Sequence, residues 1–402
     1  MTRPARVLLV SENLPLARDH RLRKQVQSLV RSGFGVTVVC RRDPENAVSA
    51  GVRLRQYRAP EDATSKLGYL REYAWSLAMA TWHVTRALCS EGFDAIQIAS
   101  TPDIYFPLAI GLRLLGKQVV FDARDLSPEI YARRYEGGSK TMLGLLRALE
   151  LLSYRSANAV LAVNESVAAV ATDRCRVARG RVTIVGNGPI LSDLEAPQSS
   201  GPGRYPNELV CCFVGFIGPQ DSVDLALRAV ALLAADRSRP PTKFLFVGEG
   251  DALPALRRLA HALEIDDLVS FQGWAPPDEV AVILSHADVG LEPNLEPFVT
   301  PVKVMEYMAY GLPVVAFDLT ETRRLVGPAG LYANPGDISG FARCVASLLE
   351  DAATRRRLGE EGKQRVKTSF AWEHQEERYV RLYKRLLGSV DLGDAQSKAG
   401  EQ

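Results

Sequence analysis

Between Leu291 and Asp318 the chain reads LEPNLEPFVTPVKVMEYMAYGLPVVAFD, the pattern of a strand, a loop, a helix, a turn and a second strand. Pro301 suits the first turn of that helix, Val304, Met305 and Met308 give it an apolar face, and Gly311 followed by Pro313 stops it. The first N–H groups of any helix lack an intrahelical partner, and here they fall around Thr300 to Lys303. With the helix dipole and the ammonium of Lys303 beside them, they are suited to holding a diphosphate without a metal. Glu306, one turn further along, can accept hydrogen bonds from both vicinal hydroxyls of a ribose.

Other candidates stand where strands are predicted to end. Gly215 and Gly218 follow one apolar run and Gly248 and Gly250 follow the next, places where a backbone without Cβ can approach a phosphate or sugar. In the first half, Asp19 and Arg21 open a helix with a basic run from Arg18 to Lys24. Asp122 and Asp125 lie three apart at a strand end without further ligands nearby, so no metal site is expected. Of the five histidines, His20 is nearest to such a motif, and an ordinary surface role suits it better.

These residues need a scaffold. Six apolar runs, Arg6–Val10, Val36–Cys40, Ala95–Ile98, Val119–Ala123, Ala159–Val163 and Val182–Val185, alternate with helix-period segments. Residues 189–207, with PQSSGPGRYPN, break every period. The alternation then restarts at Leu209–Val214, Lys243–Val247, Val269–Phe271, Val289–Leu291 and Pro313–Phe317, and helices follow at Leu348–Lys367 and Trp372–Leu387. Strands apolar on both faces and joined by helices form doubly wound parallel sheets. The expectation is an α/β protein of two facing Rossmann-like domains with a cleft between them. An N-terminal domain spans 1–190, a linker 191–207, and a second domain 208–371. A C-terminal helix at 372–388 packs back on the first domain, and a frayed tail covers 389–402.

Composition narrows the class. Hydrophobic residues make up 47% of the 402 and charged residues 24%, which excludes a disordered chain. Six scattered cysteines without C-x-x-C spacing read as buried, reduced thiols of a cytoplasmic protein. Residues 1–200 hold 27 Lys and Arg against 19 acids, a net +8, and the remainder hold 22 against 28, a net −6. The basic half suits an anionic membrane surface or a phosphorylated acceptor, and without a nucleic-acid motif no such partner is expected. Tyr73–Thr85 is uncharged but shorter than the roughly 20 residues a spanning helix needs, so it reads as a buried or membrane-surface helix.

The Leu291–Asp318 segment resembles the nucleotide-sugar motif of family 4-type retaining glycosyltransferases of GT-B fold. VGFIGPQDSVDLALRA (214–229), FVGEGDALPALRRLA (246–260) and VSFQGWAPPDEV (269–280) resemble that family's successive donor-domain loops. SENLPLARDHRLRKQ (11–25) and FDARDLSPEIY (121–131) resemble the acceptor-side loops of its bacterial polysaccharide-type subgroup. The resemblance implies that Gly215, Gly218, Gly248, Gly250, Gly273, Trp274, Thr300, Lys303 and Glu306 bind the donor, with Gly273 and Trp274 framing the base. It implies acceptor-side roles for Asp19, Arg21 and Glu129, and catalytic roles for Asp125, Arg124 and Glu296.

The chain departs from the family pattern in three places. The first glutamate of the Glu-x7-Glu spacing falls on Phe298, so Glu292 or Glu296 substitutes for it. An Arg and a Lys that neutralise the diphosphate are replaced by Phe216 and Asp221, leaving Lys303 and the helix end to do more, with Arg323 or Arg324 as possible helpers. A histidine is replaced by Arg124, which can bind phosphate but cannot act as a base. The implied activity is retaining hexosyl or N-acetylhexosaminyl transfer from a nucleoside diphosphate sugar to a glycan or lipid-linked hydroxyl acceptor in cell-envelope or exopolysaccharide assembly. No cofactor beyond the co-substrate sugar nucleotide is expected, and the enzyme is expected in the cytoplasm, with the inner face of the cell membrane as a candidate peripheral surface. Two rivals remain at this point, a sugar-nucleotide epimerase on the same architecture and a nucleotide-sugar-binding partner that has lost transfer.

Overall fold

The computed structural model describes residues 3–59, 66–135, 138–194, 205, 207–236 and 238–388. Residues 195–204 and 206 of the expected linker and the expected tail 389–402 lie outside them. The chain divides into two compact units, one made of the residues up to Gly186 together with the chain from Gln375, the other of Asn187–His374.

In the first unit β1 (Arg6–Ser11), β2 (Gly35–Arg41), β3 (Val52–Tyr57), β4 (Ala95–Ala99), β5 (Gln118–Ala123), β6 (Ala159–Ala162) and β7 (Val182–Ile184) form one parallel sheet. Its order is β3-β2-β1-β4-β5-β6-β7. The connections contain α1 (His20–Arg31), α2 (Lys66–Ser90), α3 (Phe106–Leu114), α4 (Ser127–Arg134), α5 (Lys140–Ser156) and α6 (Glu165–Ala169). Val7, Leu8, Leu9, Val38 and Val39 have no exposed surface, as expected for central parallel strands covered on both faces. β3 escapes the sequence reading because its Arg53, Arg55 and Gln56 give it no continuous apolar run, as suits an edge strand.

In the second unit a short α7 (Leu191–Leu194) precedes β8 (Leu209–Val214), β9 (Thr242–Val247), β10 (Val269–Gly273), β11 (Val289–Glu292), β12 (Val314–Phe317) and β13 (Gly330–Ala333). They form a parallel sheet ordered β10-β9-β8-β11-β12-β13. Its helices are α8 (Val223–Ala234), α9 (Leu253–Ala262), α10 (Pro277–Ser285), α11 (Val302–Ala309), α12 (Thr320–Val326), α13 (Ile338–Glu350) and α14 (Ala352–Arg365). The expected single helix over Leu348–Lys367 is two, because Asp351 ends α13 and caps α14 by accepting from the Thr354 amide at 2.9 Å. β13, a four-residue strand without a long apolar run, is also absent from the sequence reading.

The last helix, α15 (Trp372–Leu386), carries the chain back into the first unit. There the hydroxyls of Tyr379 and Tyr383 each donate to Gln97 Oε1 of β4 at 2.8 Å. Four of the cysteines are buried, but Cys89 is exposed and Cys344 half-buried, correcting the expectation that all six are interior. Among the described residues no helix is long and apolar enough to cross a membrane.

Candidate active site

Open parallel sheets bind ligands beyond the carboxyl ends of their strands, where the strand order reverses. In the second sheet that point lies between β8 and β11, and in the first between β1 and β4. Both places carry charged side chains.

At the β8/β11 point the backbone is shaped by glycine. Gly248 has φ +137°, and a Cβ there would lie 1.8 Å from the Gly215 carbonyl oxygen. The turns after β8 and β9 therefore lie backbone on backbone, joined by the Gly215 amide donating to the Val247 carbonyl at 2.9 Å and the Ile217 amide to the Glu249 carbonyl at 2.9 Å. Gly215 also leaves room for Lys303, whose Cε would be 3.2 Å from an added Cβ. Gly250 avoids the Ile217 carbonyl in the same way, and Gly218 accepts the Asp221 amide at 3.1 Å. Gly273 adopts φ +72° at the end of β10, followed by an exposed Trp274.

Beside these turns begins α11. Pro301 is its N-cap residue rather than a member of the first turn, and no side chain caps the helix. Val304, Met305, Tyr307 and Met308 bury one face, and the Tyr307 hydroxyl accepts the Val214 amide at 2.8 Å, fixing the helix to the end of β8. This seating places Lys303 over the strand ends. Its Nζ lies 3.1 Å from Asp221 Oδ1, 3.6 Å from Glu292 Oε2 and 4.1 Å from the centre of the Phe213 ring. Glu292, the last residue of β11, is only 1% exposed, and neither carboxylate oxygen finds a hydrogen-bond partner among the described residues. Burial pushes its pKa above the usual carboxylate range, Lys303 opposes that shift and Asp221 adds to it. Thr300, Glu296 and Glu306 are half-buried, whereas Phe298 and Phe216 are exposed. Arg323 is committed to Asp318 and Arg324 to Glu321.

In the first unit the candidate acceptor-side residues belong to a buried network. Asp122, wholly buried on β5, accepts from Arg21 Nη2 at 2.9 Å, Arg124 Nε at 3.0 Å, Gln25 Nε2 at 3.1 Å and Gln97 Nε2 at 3.2 Å. Despite its burial, the two guanidiniums hold Asp122 well below the usual carboxylate range. Arg21 also donates to the Val185 carbonyl at 2.8 Å and Arg124 to Asp19 Oδ2 at 2.6 Å. Asp19 caps α1 through the Leu22 amide at 2.8 Å and accepts from Ser11 at 3.0 Å. Arg21 is thus enclosed by protein acceptors, while Asp125 is exposed on the loop after β5. Glu129 pairs with Arg174 at 2.5 Å, away from this network.

A cavity of about 450 Å³ opens at the β1/β4 point, with Glu12, Arg18, Arg41, Glu72, Tyr73 and Thr101 among its lining. Arg41 Nη2 bridges Glu12 at 2.7 Å and Glu72 at 2.6 Å. Sequence reasoning missed this trio. Glu12 directly follows β1 and Arg41 ends β2, so both were legible as strand-end charges, but Glu72 comes from the second turn of α2 and carries no such mark. Asp103, just beyond β4, was also missed. It is buried, accepts from the Ser127 hydroxyl at 2.7 Å, and burial pushes it up to about 7. Among the described residues no group of three or more His, Cys, Asp or Glu side chains is arranged to hold a metal ion.

Residues 208–351 match the family described as glycosyl transferases group 1, and residues 19–188 match the glycosyl transferase 4-like domain. The chain is 26% identical over 381 residues to a 2-deoxystreptamine glucosyltransferase of Streptomyces kanamyceticus, covering 90% of this chain and 95% of that protein. An MMP α-(1→4)-mannosyltransferase of Mycolicibacterium hassiacum is 28% identical over 192 residues, covering 47% of this chain and 45% of its own. Among solved structures, sucrose-phosphate synthase from Thermosynechococcus elongatus superimposes with a TM-score of 0.75 at 19% identity, covering 96% of this chain and 100% of that one. HepE from Anabaena, in complex with UDP and glucose, superimposes with a TM-score of 0.73 at 16% identity over 96% of this chain and 100% of that one.

Proposed function

Because the chain belongs to the family 4-type glycosyltransferases of GT-B fold, we propose that it moves a hexosyl or N-acetylhexosaminyl group from a nucleoside diphosphate sugar to a hydroxyl of a glycan or lipid-linked acceptor, with retention of configuration, in cell-envelope or exopolysaccharide assembly. The observation that carries the donor half is Lys303. It stands in the first turn of α11, at the reversal point of the second sheet, among turns stripped of Cβ atoms. The diphosphate takes its place between that ammonium and the uncapped N-terminus of α11, where the charge that develops on the leaving group is stabilised. Glu306, one turn on, accepts the ribose hydroxyls, Gly273 and Trp274 frame the base, and Glu296 meets the sugar in place of the glutamate absent at Phe298. HepE, solved in complex with UDP and glucose, supports a nucleotide donor.

The acceptor enters the first unit. The cavity lined by Glu12, Arg41 and Glu72 offers carboxylates and a guanidinium to a polyol, and Asp125 stands open on the neighbouring strand end. Arg124 acts by holding Asp19 and Asp122 in register rather than by accepting a proton. No metal takes part, because the helix end and Lys303 supply the positive charge.

The enzyme works at the cytoplasmic face of an anionic membrane. Its apolar contacts are the outer face of α3 and α5, which pack together, and the outer face of the Tyr73–Thr85 stretch, where Trp75 and Trp82 are exposed while Ser76, Ala80, His83 and Val84 are buried. Leu114 is 84% exposed, Leu115 63% and Leu145 51%, with Ile110 and Leu152 beside them. Arg113, Lys140 and Arg147 are exposed on α3 and α5, and the single acid of these two helices, Glu150, is buried against Arg174.

Calorimetric titration with UDP-glucose, UDP-N-acetylglucosamine, GDP-mannose and dTDP-rhamnose tests the donor assignment. One of them binds, and Lys303→Ala weakens it at least tenfold. Absence of binding to all four, or binding indifferent to Lys303, overturns the assignment.

A further inference from the structure

Building on the donor site placed at Lys303, we propose that Glu292 is a positioning residue that takes up one proton from solvent as the donor diphosphate binds, releasing Lys303 to the diphosphate and making donor affinity fall as pH rises. The argument begins with the enclosure of Glu292. It ends β11 at 1% exposure, with both carboxylate oxygens buried and neither hydrogen-bonded among the described residues. An ionised carboxylate in that condition is costly, and among the described residues the one cation paired with it is Lys303, with Nζ at 3.6 Å.

That ammonium is shared. Asp221, from the turn after β8, holds it at 3.1 Å, so a single positive charge faces two carboxylates. The remaining groups around Glu292 do not redress the balance. Tyr307 of α11 has its hydroxyl engaged by Val214, burial holds the Cys212 thiol of β8 neutral, and the Asn294 backbone N–H, which favours the ionised form of Glu292, brings no net charge. With Glu292 ionised, the Lys303–Asp221–Glu292 group carries a net negative charge at the place where a diphosphate is to bind. With Glu292 protonated the group is neutral, and Lys303 is relieved of one competitor. Burial already favours the protonated acid, and an arriving diphosphate favours it further.

The sign follows from linkage. The pKa of Glu292 is raised in the free protein and raised more in the complex. Affinity is therefore highest below the free-protein value, falls by up to about tenfold per pH unit between the two values, and levels above the second. No family member need share this device, since Glu292 here stands beside a donor site whose usual neutralising residues are replaced by Phe216 and Asp221.

The test uses the nucleotide sugar that binds best in the four-compound panel, because its diphosphate is esterified at both ends and has no titrating proton of its own between pH 5 and 9. Calorimetry at several pH values across that range, repeated at one pH in buffers of different ionisation heat, gives affinity and proton uptake together. The wild-type protein should lose affinity with rising pH and take up a fraction of a proton approaching one. Glu292→Gln, which keeps the shape and removes the charge, should bind with little pH dependence and at least tenfold more tightly than wild type at the alkaline end. Flat affinity without proton uptake in the wild type overturns the proposal without needing the variant, and so does a variant that keeps the wild-type slope. If Lys303→Ala leaves binding unchanged, the donor-site reading fails and takes the proposal with it. If Lys303→Ala weakens binding while the wild-type pH profile is flat, the proposal alone fails.

Discussion

Replacing Asp122 by asparagine keeps the outline of the side chain and removes the charge on which the interior of the first unit is organised. Asp122 is wholly buried and accepts from two arginines and two glutamines. Removing one member of a buried ion pair costs about 3–5 kcal/mol, because the partner is left charged and uncompensated. Arg124 retains Asp19, and Arg21 retains only backbone carbonyls, so the loss falls mainly on Arg21 and belongs at the lower end, about 3 kcal/mol. For a unit of this size that corresponds to a melting temperature lowered by roughly 6–12 °C. Differential scanning calorimetry with and without nucleotide sugar separates the units, since the ligand raises the transition of the unit that binds it. The sign with pH is fixed by the depressed carboxyl. Its stabilisation is complete above the unfolded value of about 3.9 and is lost as the pH falls below that value toward the folded one, so wild type and variant converge in acid. A shift of less than about 2 °C at pH 7, or a difference that grows in acid, refutes the reasoning.

Glu306→Gln should weaken nucleoside diphosphate and intact donor alike, by roughly tenfold to a hundredfold, since charged hydrogen bonds contribute about 1.5–3 kcal/mol, and calorimetry with both ligands reads this. Asp103→Asn should stabilise the protein by about 1–3 kcal/mol at pH 8 and leave it unchanged at pH 4, because a carboxyl raised to about 7 weakens the fold only as pH rises toward and through that value; urea unfolding at the two pH values checks it. Leu114→Asp together with Leu145→Asp should reduce sedimentation with phosphatidylglycerol vesicles several-fold and leave donor binding intact, and wild-type binding should fall with salt. Turnover should survive EDTA, and its loss with rescue by magnesium or manganese would show that a metal supplies the charge assigned to Lys303.

Much of the architecture was legible because parallel strands buried on both faces are written as short apolar runs. Where that writing is weak, at the charged edge strand β3 and the short β13, the sequence reading was silent. The division between α13 and α14 lay in a single side chain, Asp351, whose capping role a helix-period pattern does not reveal. At the candidate donor site the approach of α11 to the glycine turns could be argued from Pro301, Lys303 and the glycine order. The enclosure of Glu292 could not, because it depends on how α11 and the Asp221 turn close over the end of β11. In the first unit Arg124 read as a phosphate-binding charge and Arg21 as an acceptor-side one. Their engagement by Asp122 and Asp19 joins α1 to β5 across about a hundred residues of chain, a distance no local pattern spans.

The central claim is retaining transfer from a nucleoside diphosphate sugar, and the most direct measurement is proton NMR of the product formed from an α-linked donor and a hydroxyl acceptor. The account predicts nucleoside diphosphate released in step with a new α-glycoside, recognised by its small H1–H2 coupling for a gluco-configured sugar or by its one-bond C1–H1 coupling for a manno-configured one, and a rate cut by Lys303→Ala. A β-linked product, an isomerised donor, or no acceptor-dependent release with any donor that binds would contradict it.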